Sequence, residues 1–405
     1  MHGTDTTLPT AKRALRDRRF RLALKVAGLI RAGHLMLTLP DGSMHRFGGH
    51  RPGPEAHVAL HHPRAIRRII TGGSLGWAEA YLDGEWSSPD IRAVMALAAA
   101  NEAEWDALLR GNMLVRTLSR IYHAFRPNTR KGAKKNIAAH YDLGNAFYAS
   151  WLDRTMTYSS AEFAADDETL EDAQARKVRN LLTAIDLRPG QRLLEIGCGW
   201  GYLAETAARE FGATVVALTL SREQHALASA RIAEAGLAGR VEIRLQDYRD
   251  VPERFDRIAS VEMFEAVGEA YWPVYFSALR ERLVPGGKAG LQIITIADRY
   301  FRVYRASADF IQRYVFPGGM LPSPTRLREE VARAGLAWQG ETWFGQAYAE
   351  TLRRWNERFQ QAWPQIAPTG YDARFKRLWE YYLAYCETGF RAGWTDVGRI
   401  VLSRP

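Results

Sequence analysis

The stretch Gln191–Tyr202, QRLLEIGCGWGY, constrains this chain most. Leu193, Leu194 and Ile196 form a short apolar run of the kind that a buried parallel strand shows. Gly197, Gly199 and Gly201 follow at alternate positions. Glycine reaches positive φ and lets a ligand lie against bare backbone. Leu203, Ala204, Ala207 and Ala208 then begin a helix whose first N–H groups point back at that ligand. A strand, a tight glycine turn and a helix in this order predict a nucleotide-cofactor turn.

Two kinds of nucleotide compete for it. A dinucleotide site wants G-x-G-x-x-G or G-x-G-x-x-A, and Gly199, Gly201 and Ala204 satisfy the looser form. Glu195, two residues before the first glycine, completes E-x-G-x-G-x-G. That pattern resembles motif I of class I S-adenosylmethionine (SAM) methyltransferases. A dinucleotide enzyme usually ends its second strand in an acidic residue for the ribose. Here the second strand ends ALTLSREQ, with Thr219 and Gln224 as its polar groups. The third ends in Gln246, Asp247 and Tyr248, an acceptor beside an aromatic ring that suits an adenine edge and face. Taken singly, each is an ordinary turn residue. Their recurrence at successive strand ends, where one ligand touches them all, favours a binding site.

Apolar strand candidates fall at 192–196, 214–220, 241–245, 257–261 and 287–296, with helices at 171–186, 201–211, 221–236 and 270–284. This alternation predicts an α/β fold, a doubly wound Rossmann-like sheet with its ligand at the carboxyl ends of the strands. The segment 300–395 is aromatic, arginine-rich and mostly helical, and is expected to cover a substrate pocket. A chain of 405 residues is long for one domain. Residues 1–110 read as a small α+β accessory domain, with strands HLMLTL and HVALHH, a PDG turn and helices across 64–107. A basic linker spans 111–136, and 137–405 form the doubly wound domain.

The net charge of +10 favours an anionic partner, either nucleic acid or an acidic lipid surface. Residues 11–33 read as a basic helix, with Leu15, Leu22, Val26, Leu29 and Ile30 on one side among eight Arg and Lys. The junction 112–136 interleaves apolar residues with Arg116, Arg120 and Arg126 and ends in a cationic cluster. Both patterns suit a bilayer interface, and both suit a solvated charged face. No run of 18 apolar residues exists, and the N-terminus has no apolar signal region. Two cysteines, Cys198 and Cys386, indicate neither a disulfide framework nor a metal cluster. These features predict a cytoplasmic protein, peripheral at the inner membrane face, with no metal.

The segments HYDLGNAFY, TYSSAEF, LLEIGCGWG, LTLSREQ, LQDYRD, SVEMFEAVG and YVFPGGMLPS occur in that order. Together they resemble the cyclopropane-fatty-acyl-phospholipid synthase family, to which the mycolic acid cyclopropane synthases also belong. The resemblance covers about residues 130–403. It implies that SAM methylates a cis double bond of a phospholipid acyl chain and that proton loss from the new methyl closes a cyclopropane. It also implies a homodimer. By position it assigns Tyr141, Tyr158, Ser159, Gly197, Gly199, Gly201, Thr219, Gln224, Gln246, Asp247 and Tyr248 to SAM. Glu265, in MFEAVG, and Tyr348, in FGQAYAETL, are placed at the reacting centre. Phe264, Tyr314, Phe316, Trp343 and Phe344 are candidates for an apolar wall, with plain core packing as the other reading.

The chain departs from the family at the last step. Typical members hold a bicarbonate ion that takes the final proton. Of its implied ligands, Glu265 and Tyr348 are kept, while Ser160 stands at the Cys position and Ile294 at the His position. Ala266 replaces a further His. An aliphatic side chain cannot replace an imidazole donor. Bicarbonate is therefore in doubt, and three outcomes stay open. The chain closes a ring, or it methylates without ring closure, for instance on a diene, or it is a weakly catalytic SAM- and lipid-binding module. A nucleic-acid methyltransferase is disfavoured, because SVEMFEAVG stands where an N-P-P-Y or D-P-P-Y run is expected.

Overall fold

The computed structural model describes residues 18–109, 143–306 and 308–405. Tyr141, the junction 112–136 and the start of the basic helix lie outside the described residues. The chain divides into two compact units.

In the first unit the helix Arg18–Ala27 precedes a four-stranded sheet. The basic helix thus ends earlier than the sequence suggests, because Ala32 and Gly33 already belong to the first strand. The strands are β1 (Ala32–Thr38), β2 (Met44–Gly48), β3 (Arg51–Leu60) and β4 (Trp86–Ser87), in the order β2-β1-β3-β4. β1 and β2 form an antiparallel hairpin at the PDG turn, where Asp41 accepts the Ser43 N–H at 3.0 Å. Ala56, Val58 and Leu60 alternate inward on β3, the period a half-buried strand requires. The helix Ile91–Ala100 starts at Asp90, whose carboxylate accepts the N–H groups of Arg92 and Ala93. Buried Asn101 at its other end accepts from the N–H groups of Arg31 and Ala32 and donates to the Ala32 carbonyl, tying helix to sheet.

Residues Ala367–Thr388 also belong to this unit, although the sequence places them in the doubly wound domain. The physical reason is a set of long-range polar contacts. Glu387 accepts a bidentate pair from Arg92 at 2.6 and 2.7 Å, and Glu380 accepts from the Tyr81 hydroxyl at 3.1 Å. Local helical patterning reveals none of this.

The second unit carries a seven-stranded sheet. Its strands are β5 (Arg192–Ile196), β6 (Thr214–Thr219), β7 (Val241–Leu245), β8 (Phe255–Val261), β9 (Leu283–Ile296), β10 (Ala337–Trp343) and β11 (Thr395–Ser403). Their order is β10-β11-β9-β8-β5-β6-β7. β5 to β9 are parallel, and β11 runs antiparallel between β9 and β10. Both faces are covered, which is why the strands read as unbroken apolar runs. Leu194, Ile196, Val216, Leu218, Ile258, Leu291 and Ile293 pack on one side, and Leu193, Val215, Ala217 and Ala259 on the other. The chain order reverses between β5 and β8, so the carboxyl ends of these strands flank a crevice.

Gly290 on β9 shows how closely a helix approaches this sheet. A Cβ there would lie 2.6 Å from Cγ2 of Ile185 and 2.9 Å from Cδ1 of Leu181. Gly290→Val therefore destabilises the fold by about 1–3 kcal/mol through overpacking, measured as a lower urea midpoint with an unchanged slope.

Candidate active site

β5 delivers the chain into the turn Gly197–Gly201. All three of its glycines have positive φ, at 84°, 52° and 88°. The N–H groups of Gly197 and Cys198 donate to the Leu218 carbonyl at 3.1 and 2.8 Å, which locks the turn to β6. A Cβ on Gly199 would meet nothing within 4 Å, so bare backbone faces open space there. The helix Tyr202–Glu210 starts directly behind.

At the end of β6 the Thr219 hydroxyl donates to Gln224 Oε1 at 2.8 Å and accepts the Ser221 N–H. The Gln246 N–H donates to the Thr219 carbonyl at 3.2 Å, which joins the end of β7 to this edge. Gln246 Nε2 donates to the Asp250 carbonyl, and the Asp247 carboxylate accepts two hydrogen bonds from the Arg249 guanidinium at 2.8 and 2.6 Å. Asp247 is thus both a turn residue and a strand-end acceptor. Tyr248 stands with its ring edge-on to Tyr275, 5.4 Å between centroids, and burial pushes its hydroxyl up to about 12. Gly197, Gly199, Gly201, Thr219, Gln224, Gln246, Asp247 and Tyr248 therefore share one edge of the sheet. An open glycine turn, hydroxyl and amide groups and one aromatic face fit a nucleoside ligand such as SAM.

The segment Tyr158–Ser160 reaches the same domain from upstream. The Tyr158 ring packs against Tyr148, Trp151 and Trp355 at 5.4, 5.7 and 5.3 Å. Ser159 Oγ accepts from Lys177 Nζ at 2.6 Å, and Gln174 Nε2 donates to the Ser159 carbonyl at 2.8 Å. Lys177 lies on the helix Leu170–Ala184 and is 1 % exposed. Burial lowers its ammonium to about 8, against the opposing pull of Glu262, Asp153 and Glu195. Buried Ser160 donates its hydroxyl to the Ala161 carbonyl at 2.9 Å.

Two carboxylates follow β8. Glu265 Oε1 accepts the Ile294 N–H at 2.5 Å, and its Oε2 is buried without a hydrogen-bond partner among the described residues. Burial, then the charge of Glu262, pushes the Glu265 carboxyl up to about 8. The Tyr348 hydroxyl donates not to Glu265 but to Glu262 Oε2, at 2.6 Å. Glu262 Oε1 accepts the Ser160 N–H and Gln292 Nε2, each at 2.8 Å. Both glutamates stand just past the carboxyl end of β8, beside the crevice between the ends of β5 and β8. Phe264 between them is core, ringed by Trp272, Tyr275 and Phe276.

Bicarbonate fits this arrangement poorly. The Ser160 hydroxyl is engaged by backbone, Ile294 offers only its N–H, already given to Glu265, and Tyr348 is engaged by Glu262. Glu262, Gln292 and Lys177 are the site residues that the sequence reading missed. Gln292 carried a signal, as a polar residue inside the apolar run LQIITI. Among the described residues no group of three or more His, Cys, Asp or Glu side chains is placed to hold a metal ion. No helix among them is long and apolar enough to cross a membrane.

The raised Glu265 carboxyl has a stability consequence. Between the ordinary carboxylate range and about pH 8 the folded state binds a proton that the unfolded state has lost. Stability from this group is full at low pH and is lost as pH rises through that interval. Glu265→Gln removes this contribution, so urea stability declines less across the interval in the variant than in the wild type. Equal declines would contradict the assignment.

The family model for mycolic acid cyclopropane synthetase matches residues 128–400. A tuberculostearic acid methyltransferase of Mycobacterium tuberculosis is 42 % identical over 359 residues, 85 % of this chain and 82 % of that protein. The cyclopropane-fatty-acyl-phospholipid synthase of Escherichia coli is 36 % identical over 353 residues, 86 % of this chain and 88 % of that protein. A mycolic acid cyclopropane synthase solved with S-adenosylhomocysteine superposes with a TM-score of 0.63 at 31 % identity, covering 67 % of this chain and 98 % of that one. With the strand order, the glycine turn and the carboxylates after β8 in place, this chain belongs to the mycolic acid cyclopropane synthetase family of SAM-dependent methyltransferases.

Proposed function

We propose that the chain uses SAM to methylate a cis double bond of an acyl chain within a phospholipid and then closes a cyclopropane ring. The observation that carries this reading is the carboxylate pair Glu262 and Glu265 with Tyr348, on the same sheet edge as the glycine turn. When bound, SAM supplies an electrophilic methyl group. An alkene is a weak nucleophile, so the protein must hold the two partners in line at near-contact distance. Gly197, Gly199 and Gly201 give the nucleoside a backbone cradle, and Thr219, Gln224, Gln246, Asp247 and Tyr248 offer it polar and aromatic contacts. Tyr141, Tyr158 and Ser159 complete this assignment by their place in the family pattern. Glu262 sets negative charge and Glu265 a buried carboxyl, and Tyr158, Tyr348 and Trp355 set aromatic faces, where a carbocation develops. Ser160 contributes through its backbone N–H to Glu262.

The surface of the first unit supports a place at an anionic bilayer. Arg21, Lys25, Leu22 and Leu29 are exposed on or just after the helix Arg18–Ala27. We place the protein in the cytoplasm, peripheral at the inner membrane face, and as a homodimer.

Purified protein, SAM and anionic vesicles of monounsaturated phospholipid test this reading. The acyl chain gains one CH2 unit by mass spectrometry, and proton NMR shows the high-field signal of a cyclopropane ring. The rate falls as salt screens the surface, since the Debye length shrinks from about 10 Å at 0.1 M to about 3 Å at 1 M. A mass gain without a ring signal contradicts ring closure. No gain on any lipid contradicts the reading as a whole, and a salt-independent rate contradicts the anionic surface.

A further inference from the structure

Glu262 is built into the site at a cost. Its φ is 47°, in the left-handed region, which strains any side-chain-bearing residue relative to glycine. Such strain persists only where the surroundings hold it. Three segments hold this residue: the Tyr348 hydroxyl at 2.6 Å, the Ser160 N–H at 2.8 Å and Gln292 Nε2 at 2.8 Å. All three donor residues are buried, at 6 %, 0 % and 1 % exposure. Three converging donors form an anion pocket, and the side chain of the protein itself fills it. A carboxylate has about four acceptor positions, so one remains for an incoming proton.

The electrostatics agree. Burial raises the Glu262 carboxyl above its ordinary value, which makes it a stronger base than a free carboxylate, while the three donors and the Lys177 charge favour its ionised form. Burial, then the charge of Glu262, holds Glu265 toward its protonated form at neutral pH. Glu262 follows directly on Val261, the last residue of β8, beside the crevice between the ends of β5 and β8.

We propose that the Glu262 carboxylate is the proton acceptor of ring closure, a built-in replacement for a small bound oxyanion. This rests on the reading of the chain as a cyclopropane-forming methyltransferase. The alkene π pair attacks the SAM methyl, a C–C bond forms, the S–CH3 bond breaks and the sulfonium becomes a neutral thioether. The other alkene carbon is left as a cation. A proton then leaves the new methyl for Glu262, and the C–H electron pair forms the second C–C bond. The protonated carboxyl afterwards returns its proton to solvent.

Three versions of the full chain, wild type, Glu262→Gln and Glu262→Gly, are compared in carbon-dioxide-free buffer with SAM and unsaturated phospholipid. Glycine is chosen because it adopts the observed backbone without strain and empties the three-donor pocket. The wild type forms ring product at a rate that added bicarbonate does not change. Glu262→Gln loses about 100-fold or more of that rate, the scale of a lost general base, and binds SAM as the wild type does. Added bicarbonate or formate raises the melting temperature of Glu262→Gly and restores part of its activity, and it does neither for the wild type. A glutamine variant within threefold of wild type, or a wild type that requires bicarbonate, overturns the proposal. A Glu262→Gly variant that folds but binds neither anion overturns the anion pocket. A wild type with no methyl transfer to any lipid overturns the functional reading and this proposal together. An active wild type with an equally active glutamine variant overturns this proposal alone.

Discussion

A parallel sheet buried on both faces can present chemistry only at its strand ends, and the second unit of this protein is arranged around that constraint. The interiors of β5, β6, β8 and β9 must be apolar to pack, so polar groups accumulate where the strands stop. The glycine turn, Thr219, Gln246 and Glu262 all stand at such ends. The exceptions are informative. Gln292 lies within β9, and it is tolerated because its amide bonds Glu262 and the Ser160 carbonyl. Glu195, one residue before the end of β5, is pushed up to about 8 by burial and faces the charge of Lys177.

Much of the fold was legible in the sequence for the same reason. Apolar runs of five to seven residues separated by helical segments give the strands and their parallel order, and the structure shows β5 to β8 at nearly the expected bounds. β2, with its MHRFG sequence, was not legible, because its pairing with β1 supplies what its own residues do not. The membership of Ala367–Thr388 in the first unit was hidden as well, since it rests on Arg92 and Tyr81, almost 300 residues away in sequence.

The site was legible at its strand ends and obscure at its centre. The motif SVEMFEAVG drew attention to Glu265, whose family position is clear, while Glu262 reads as one more polar residue after a strand. Nothing local announces that its backbone is left-handed or that three distant donors converge on it. Lys177 reads as the solvated face of an amphipathic helix, yet it is buried beside Ser159. The replacements Ser160 and Ile294, by contrast, were visible from the sequence. The structure gives them a meaning: neither side chain offers a free donor to a small anion, and Glu262 occupies the donors that remain.

The central claim is that one proton of the transferred methyl is lost inside the site, so that a ring forms. Its most direct test uses SAM carrying a trideuterated methyl group, with unsaturated phospholipid and the full chain, and counts deuterium in the product by mass spectrometry. Ring closure by proton loss from the new methyl leaves two deuterium atoms, as a ring CD2. Retention of all three would mean that the cation loses its proton from the acyl chain, and would contradict the account.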